Sequence, residues 1–147
     1  MEEKQYIPAV PLDVLPSAFG CSVFLSAGGK TFVVNMDDSK FDNIKLALEG
    51  VDCGRPTTFE FFRDAVRAMG CRVLRACFYD ERDGVFFARV AIELGGGAGR
   101  IVEIDSRPSD AIPLAVRCGA RIFIDRAVLR RVQDMSETFD KLREKLM

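Results

Sequence analysis

Runs of apolar residues alternate with polar turns along this chain and predict a succession of short strands and amphipathic helices. Apolar runs over residues 19–26 and 30–36 flank Ala27-Gly28-Gly29, which is the pattern of a β-hairpin. The 18 residues before the hairpin contain three prolines and are expected to form an extended or edge segment.

Two helices are predicted after the hairpin. The first spans about residues 39–49, with Ser39 and Asp42 in capping-box spacing and Gly50 as its stop. The second begins at Thr57, with Glu60 in capping-box spacing, and ends at Gly70. Its expected buried stripe consists of five apolar residues, Phe61, Phe62, Ala65, Val66 and Met69.

The second half of the chain returns to strands. We expect strands at residues 71–79, 85–94, 100–104 and 121–124, with a glycine-rich hairpin loop at residues 95–99 and a helix after Ser109. The order of strands, helices, strands and helix favours a compact single α+β domain, with a mixed, largely antiparallel sheet packed by helices.

A long C-terminal helix over about residues 126–146 is predicted, with Asp125 as its cap. Its apolar positions are spaced 4, 3, 4, 3 and 4 apart: Val128, Val132, Met135, Phe139, Leu142 and Leu146. Such a narrow seam suits a partner helix, in the same chain or across a dimer, and packing against its own domain is equally consistent with the pattern.

Composition excludes several classes of chemistry. The 147-residue chain contains no histidine, so it has no His-based general base, no Ser-His-Asp triad and no His-ligated metal site. Five scattered cysteines without a Cys-x-x-Cys pair indicate free thiols in a reducing cytoplasm. No apolar stretch is long enough for a membrane span, and the start of the chain lacks a signal-peptide core, so a cytoplasmic location is expected.

Basic charge is concentrated in the middle of the chain. Residues 54–131 contain 14 Arg, no Lys and 10 acidic residues, whereas the whole chain has a net charge of −1. Arginine's planar fork suits phosphate oxygens, although many of these side chains would simply be solvated.

The segment from Ile104 to Ala111 holds the strongest candidate chemistry. Asp105, Ser106, Arg107, Ser109 and Asp110 are concentrated where a predicted strand passes into a helix. A helix N-terminus with such side chains can bind an anion or a metal-bound phosphate. The alternative is that Ser106 or Ser109 caps the helix, Pro108 starts it and Asp110 complements its dipole.

Two blocks together resemble one family. These are Gly54-Arg55-Pro56-Thr57-Thr58 and the run from Ile104 to Ile112, which is followed by Ala120-Arg121-Ile122-Phe123-Ile124. The chain is similar to the bifunctional nucleases of prokaryotes and plants over residues 19–132. Residues 1–18 are then an extended N-terminal segment, and residues 133–147 form a helical extension.

The resemblance implies a compact, dimeric α+β domain that hydrolyses DNA and RNA. The chain departs from the family pattern at two places. Phe59 and Glu60 stand where the family has His-Asp, and Lys40-Phe41 replaces a Glu-Ala pair.

Three hypotheses follow from these residues. In the enzymatic one, Asp105 and Asp110, joined by Glu60, hold Mg²⁺ or Mn²⁺ and activate a water molecule. Arg55 and Arg107 then steady the phosphate, and Thr58 and Ser109 orient it. In the second hypothesis, the same groups bind nucleic acid or a phosphorylated ligand without cleaving it. In the third, the arginines of the two Arg-Pro turns only brace the fold by pairing with Asp105, Asp110 or Glu60.

Overall fold

The structure, a computed structural model, describes residues 4–18, 20–95 and 99–146, which contain seven strands, five α-helices and a 3-10 helix over Asp38–Lys40. The strands are β1 (Tyr6–Ser17), β2 (Gly20–Ala27), β3 (Lys30–Met36), β4 (Arg72–Arg82), β5 (Val85–Glu93), β6 (Ile101–Ser106) and β7 (Arg121–Asp125). The helices are α1 (Phe41–Leu48), α2 (Thr58–Ala68), α3 (Pro108–Cys118), α4 (Arg126–Arg131) and α5 (Ser136–Leu146). The α+β class is therefore confirmed.

The strands form one mixed sheet in the order β3-β2-β1-β7-β4-β5-β6. Each neighbouring pair is antiparallel except β4 and β7. The predicted β2–β3 hairpin is confirmed, and Gly28 and Gly29 make its turn with φ values of 55° and 78°. These angles suit glycine because it has no Cβ to clash in the left-handed region.

Of the two alternatives for the N-terminus, the extended segment is observed, but the segment does not lie at an edge of the sheet. β1 lies inside the sheet, where residues 6–9 pair with β7 and residues 10–17 pair with β2. A register shift between Pro11 and Asp13 accommodates the change of partner. Prolines favour an edge position because they have no backbone N–H to donate to a neighbouring strand. They do not indicate which strands pair with β1 on its two sides.

The core lies between the curved sheet and helices α1–α3. Phe32 of β3 packs edge-on against Phe78 of β4, with ring centroids 6.0 Å apart, and lies 5.7 Å from Phe86 of β5. These contacts join strands from both ends of the sheet. The middle of α3, from Ala111 to Ala115, is buried against this core.

The C-terminal helix is not continuous. Asp125 caps α4 as predicted, because its Oδ1 accepts a hydrogen bond from the backbone N–H of Ala127 at 3.3 Å. The chain then leaves the helix at Val132, which has extended backbone angles, and α5 begins at Ser136. Asp134 holds the break by accepting bonds from the backbone N–H groups of Thr31 and Ser136, each at 3.1 Å.

The break in the helix divides the predicted seam. Val128 enters the main core, whereas Phe139 packs on Leu15 and Phe24 in a second, smaller cluster. Among the described residues, no helix has the length and apolar content of a membrane span. Phe19 and residues 96–98 of the predicted glycine-rich loop lie outside the described residues.

Candidate functional site

The turn between β6 and α3 is closed by backbone groups rather than by a serine cap. Arg107 is the N-cap residue, and its carbonyl oxygen accepts hydrogen bonds from the N–H groups of Asp110 and Ala111 at 3.0 and 2.9 Å. The Ser106 hydroxyl donates to the same carbonyl at 3.1 Å. Pro108 occupies the first turn as predicted, but capping by Ser106 or Ser109 is wrong.

The side chains of this turn are therefore available for other contacts. Arg107 and Asp110 are exposed, and Ser109 is half-buried. Within the described ranges, none of these three side chains forms a hydrogen bond or an ion pair.

An open groove of about 630 Å³ runs beside this turn. One wall consists of residues 105–110, and the other is formed by the end of β3 and the start of β5. Asp105, Arg107, Ser109 and Asp110 all line the groove. It therefore offers a cation, a hydroxyl and two carboxylates to one ligand.

A second, more apolar cavity of about 330 Å³ is lined by residues of the same turn and of α2. Asp105, Ser106 and Asp110 line this cavity as well as the groove, and Thr58 of the first motif joins them. The remaining lining residues are apolar: Phe59, Phe62, Val90, Ile92, Ile104 and Leu114. The two motifs recognised in the sequence thus meet through Thr58 and the α3 turn.

Glu60, which was predicted to act with Asp105 and Asp110, lines neither the groove nor the cavity. Its Oε1 lies 3.4 Å from Nε of Arg117, and the two side chains are only 15% and 11% exposed. The Thr57 hydroxyl donates to the same oxygen at 3.1 Å, so the expected capping box to the backbone is absent. Arg117 also donates to the carbonyl oxygen of Val51 at 2.7 Å. Glu60 therefore ties α2 to α3.

The bracing hypothesis is right about the ion pair but wrong about the arginine. Arg117 lies in the last turn of α3, outside both motifs, and nothing in its local sequence indicates its partner. Arg55 is exposed in the loop before α2 and lines neither the groove nor the cavity. Arg55, which was predicted to contact the phosphate, is therefore not brought to the α3 turn.

Tyr79 and Arg89 are neighbours of the site that the sequence analysis missed. The Tyr79 hydroxyl donates to Oδ1 of Asp105 at 2.8 Å, and this bond raises the pKa of the tyrosine. The Arg89 guanidinium carbon lies 4.0 Å from the centroid of the Tyr79 ring. Arg89 is paired with Asp105 in the β5–β6 register, so correct pairing of these two strands would have placed Arg89 beside the site.

The described residues do not form a closed metal cage, since no three His, Cys, Asp or Glu side chains converge. Magnesium, however, is commonly bound by one or two carboxylates, with water and substrate phosphate as the other ligands. Asp105 and Asp110, on one turn beside an open groove, fit that kind of open site.

The fold and this turn define a member of a known nuclease-domain family. Residues 23–137 match the family model described as the bifunctional nuclease domain, and the chain belongs to that family.

The chain is similar to curated relatives and spans less than two thirds of their length. The chain is 28% identical over 102 residues to an uncharacterized protein of Mycobacterium tuberculosis, a match that covers 69% of this chain and 58% of that protein. It is 32% identical over 83 residues to bifunctional nuclease 1 and bifunctional nuclease 2 of Arabidopsis thaliana. Those matches cover 56% of this chain but only 26% and 25% of the plant proteins.

Proposed function

We propose that this chain is a nuclease that hydrolyses phosphodiester bonds of DNA and RNA in the groove beside the start of α3. One observation carries the proposal: in a chain of the bifunctional nuclease family, an exposed arginine, a hydroxyl and two carboxylates line one open groove. The proposed partners are DNA or RNA and a second copy of the chain.

The side chains suggest a division of roles. Arg107 has no competing ion pair in the described part of the chain and would contact the phosphate oxygens, while Ser109 would orient them. Thr58 lines the adjoining cavity and not the groove, so it would contact a part of the substrate other than this phosphate. Because the chain has no histidine to act as general base, activation of the attacking water would fall to a bound cation and the carboxylates that hold it, with the proton passing to solvent. Asp110 suits a ligand role since it is exposed and unpaired in the described ranges, whereas Tyr79 holds Asp105 in place.

A divalent cation is part of this proposal. Mg²⁺ or Mn²⁺ held by Asp105 and Asp110 would neutralise phosphate charge and lower the pKa of a bound water. We assign no ligand role to Glu60, because its carboxylate is engaged by Arg117.

The decisive experiment compares purified variants on RNA and single-stranded DNA. We expect the wild type to degrade both with Mg²⁺ or Mn²⁺ and neither in a chelator. Asp110→Asn should lower the rate by at least about 100-fold, as loss of one charge-stabilising group in a site does, while lowering the melting temperature only slightly through the lost helix-dipole interaction. Asp42→Asn removes an exposed carboxylate on α1, far along the chain from the site, and is the matched control.

Two results would contradict the proposal. One is a wild type that is inactive with every divalent metal; salt-dependent binding without turnover would then favour the non-catalytic alternative. The other is an Asp110→Asn preparation as active as wild type, because the activity would then come from another site or a contaminant.

We further propose a cytoplasmic location. All five cysteines are free, and two of them, Cys21 and Cys77, are buried. Unpaired thiols are typical of a reducing compartment. Fractionation of the source cells should therefore recover the chain with the cytoplasmic proteins, and recovery in an oxidising compartment would contradict this location.

A further inference from the structure

The cavity that α2 shares with the β6–α3 turn has no role in the hydrolysis proposed above. Its volume of about 330 Å³ is at the lower end of the range for ligand pockets, which is roughly 300–1,000 Å³. A site of this size suits one small, flat group rather than a helix or strand of another protein.

Part of the cavity wall is aromatic and in contact with water. Phe59 and Phe62 are three residues apart on α2, so their side chains lie on one face of the helix, and both line the cavity. Phe62 is 39% exposed, and Ile104 of β6, which lines the same cavity, is 48% exposed. A flat aromatic ligand in the cavity would remove apolar surface of both residues from water.

Charge distinguishes the cavity from the groove. Asp105, Ser106 and Asp110 line both, but Arg107 lines only the groove, and none of the described side chains that line the cavity is basic. An anion would therefore be held by Arg107 in the groove, whereas the cavity offers it two carboxylates and no basic side chain. The two sites together suit a ligand with an anionic part and an uncharged aromatic part a short distance apart.

A nucleotide has this construction, because a single sugar joins its base to its phosphate. We propose that the cavity is a nucleobase subsite, which binds the base attached to the phosphate in the groove and stacks it on Phe62. The position of that phosphate rests on the proposed nuclease function. The apolar and aromatic lining that would receive the base does not depend on it.

The lining of the cavity predicts little discrimination between bases. Stacking tolerates every base, because each has an aromatic face, and it does not depend on hydrogen bonds to the edge of the base. The Thr58 hydroxyl, which also lines the cavity, can either donate or accept a hydrogen bond and so fits the edge of any base. We therefore expect bases from both RNA and DNA to bind.

Methyl NMR of the 16.4 kDa chain tests the subsite directly. The probes are adenosine 5′-monophosphate and its 2′-deoxy form, added with Mg²⁺ present. Neither contains a phosphodiester, so the titration measures binding without cleavage. The ring current of a bound base should shift the methyl signals of Ile92, Ile104 and Leu114, which line the cavity. Ribose 5-phosphate, which has no base, is the matched ligand control and should leave these three signals unchanged.

One substitution tests the stacking contact. Phe62→Leu removes the aromatic ring but keeps an apolar side chain, and it should raise the dissociation constant for adenosine 5′-monophosphate at least about fivefold, the low end for stacking of one base. Phe61→Leu is the matched control, because Phe61 is the neighbouring residue, is 70% exposed and does not line the cavity. It should bind as wild type does. Without nucleotide, the spectra of both variants should match that of wild type away from the substituted residue, which shows that the fold is kept.

Three results would overturn the proposal: cavity methyl signals that shift with neither nucleotide, equal shifts with ribose 5-phosphate, or unchanged binding by Phe62→Leu. Similar dissociation constants for the two nucleotides would support both RNA and DNA as sources of the base, and binding of one alone would support that source only. If the methyl signals shift as expected but the chain cleaves no nucleic acid, the nuclease proposal fails and the base site stands. If the chain cleaves nucleic acid and the signals do not shift, only the nucleobase subsite fails.

Discussion

Helices α2 and α5 have similar apolar spacing but opposite surroundings. Apolar periodicity in the sequence predicts that the α2 stripe packs in the domain's own core and that the C-terminal seam packs on a partner helix or on its own domain. In the structure, α2 leaves Phe61 and Met69 in water, whereas α5 buries Phe139 against Leu15 and Phe24 of its own chain.

This contrast shows what apolar periodicity does and does not indicate. A repeat of 3 and 4 shows that one helix face avoids water, but not which element will cover it. In α5 the covering element is the β1–β2 hairpin, which the break before Ser136 brings within reach. In α2 the inner contact is made by Phe59 and Val66, while Phe61, Phe62 and Met69 stay exposed in the isolated chain.

The largest expected difference is between Phe139→Ala and Phe61→Ala. Phe139 is buried, and its ring centroid lies 4.9 Å from that of Phe24, so its truncation should lower the free energy of unfolding by about 3–5 kcal/mol. Phe61→Ala should change it by less than about 0.5 kcal/mol in dilute solution. Urea unfolding at low protein concentration measures both.

Unfolding at several protein concentrations distinguishes the two variants further. If α2 covers a second copy, the effect of Phe61→Ala should grow as concentration rises, whereas that of Phe139→Ala should stay constant. If the two variants lose equal free energy of unfolding in dilute solution, Phe61 of α2 is buried within its own chain, and the difference between α2 and α5 is contradicted.

A second comparison lies within α2 itself. Val66→Ala should cost about 2 kcal/mol, because Val66 packs in the main core, whereas Met69→Ala should be close to neutral in the monomer. Val66 lies inside α2 and Met69 is its C-cap residue, so the gain in helix propensity on replacing Val with Ala, at most about 0.7 kcal/mol, offsets part of the loss at Val66 only. A larger loss for Met69→Ala would mean that the helix is rotated from the observed orientation.

The third prediction concerns what fixes that orientation. Glu60→Gln leaves the mostly buried Arg117 guanidinium without its counter-ion and should cost about 1–3 kcal/mol. Glu49→Gln, which breaks the more exposed pair with Lys45, should cost no more than about 0.5 kcal/mol and serves as control. If Glu60→Gln abolishes nuclease activity while stability is unchanged, Glu60 returns to the candidate site.

The fold could be predicted wherever local signals agree with the global arrangement. The β2–β3 hairpin, the α2 start near Thr57 and the helix after Arg107-Pro108 follow from glycine, capping-type and proline patterns. The central place of β1 and the break after α4 could not be predicted. Both depend on partners distant in sequence, β7 for residues 6–9 and Thr31 for the Asp134 turn.

The candidate site shows the same limit. The turn bearing Asp105, Arg107 and Asp110 could be identified from a strand signal followed directly by polar residues and a helix signal. The pairing of Glu60 with Arg117 could not be predicted, because it depends on how α2 meets α3. The hydrogen bond from Tyr79 to Asp105 could not be predicted either, because it depends on the β4–β5–β6 register. Sequence patterns thus locate the chemistry, while tertiary contacts select which of its groups are available.

The smallest expected effect concerns the break between α4 and α5, after which α5 packs on its own chain. The Ser136 hydroxyl, with the backbone N–H groups of Thr31 and Ser136, holds the pKa of Asp134 below its ordinary value. A carboxyl whose folded pKa is depressed stabilises the fold above its unfolded pKa, about 3.9, and loses that contribution as pH falls through the folded pKa. Asp134→Ala should therefore lower the melting temperature slightly at neutral pH, and the difference from wild type should shrink below about pH 4. Thermal melts of the two proteins across this range measure the change. A difference that is the same at neutral and acidic pH would show that the ionised carboxylate does not hold the break, and that packing of Phe139 alone keeps α5 on its own chain.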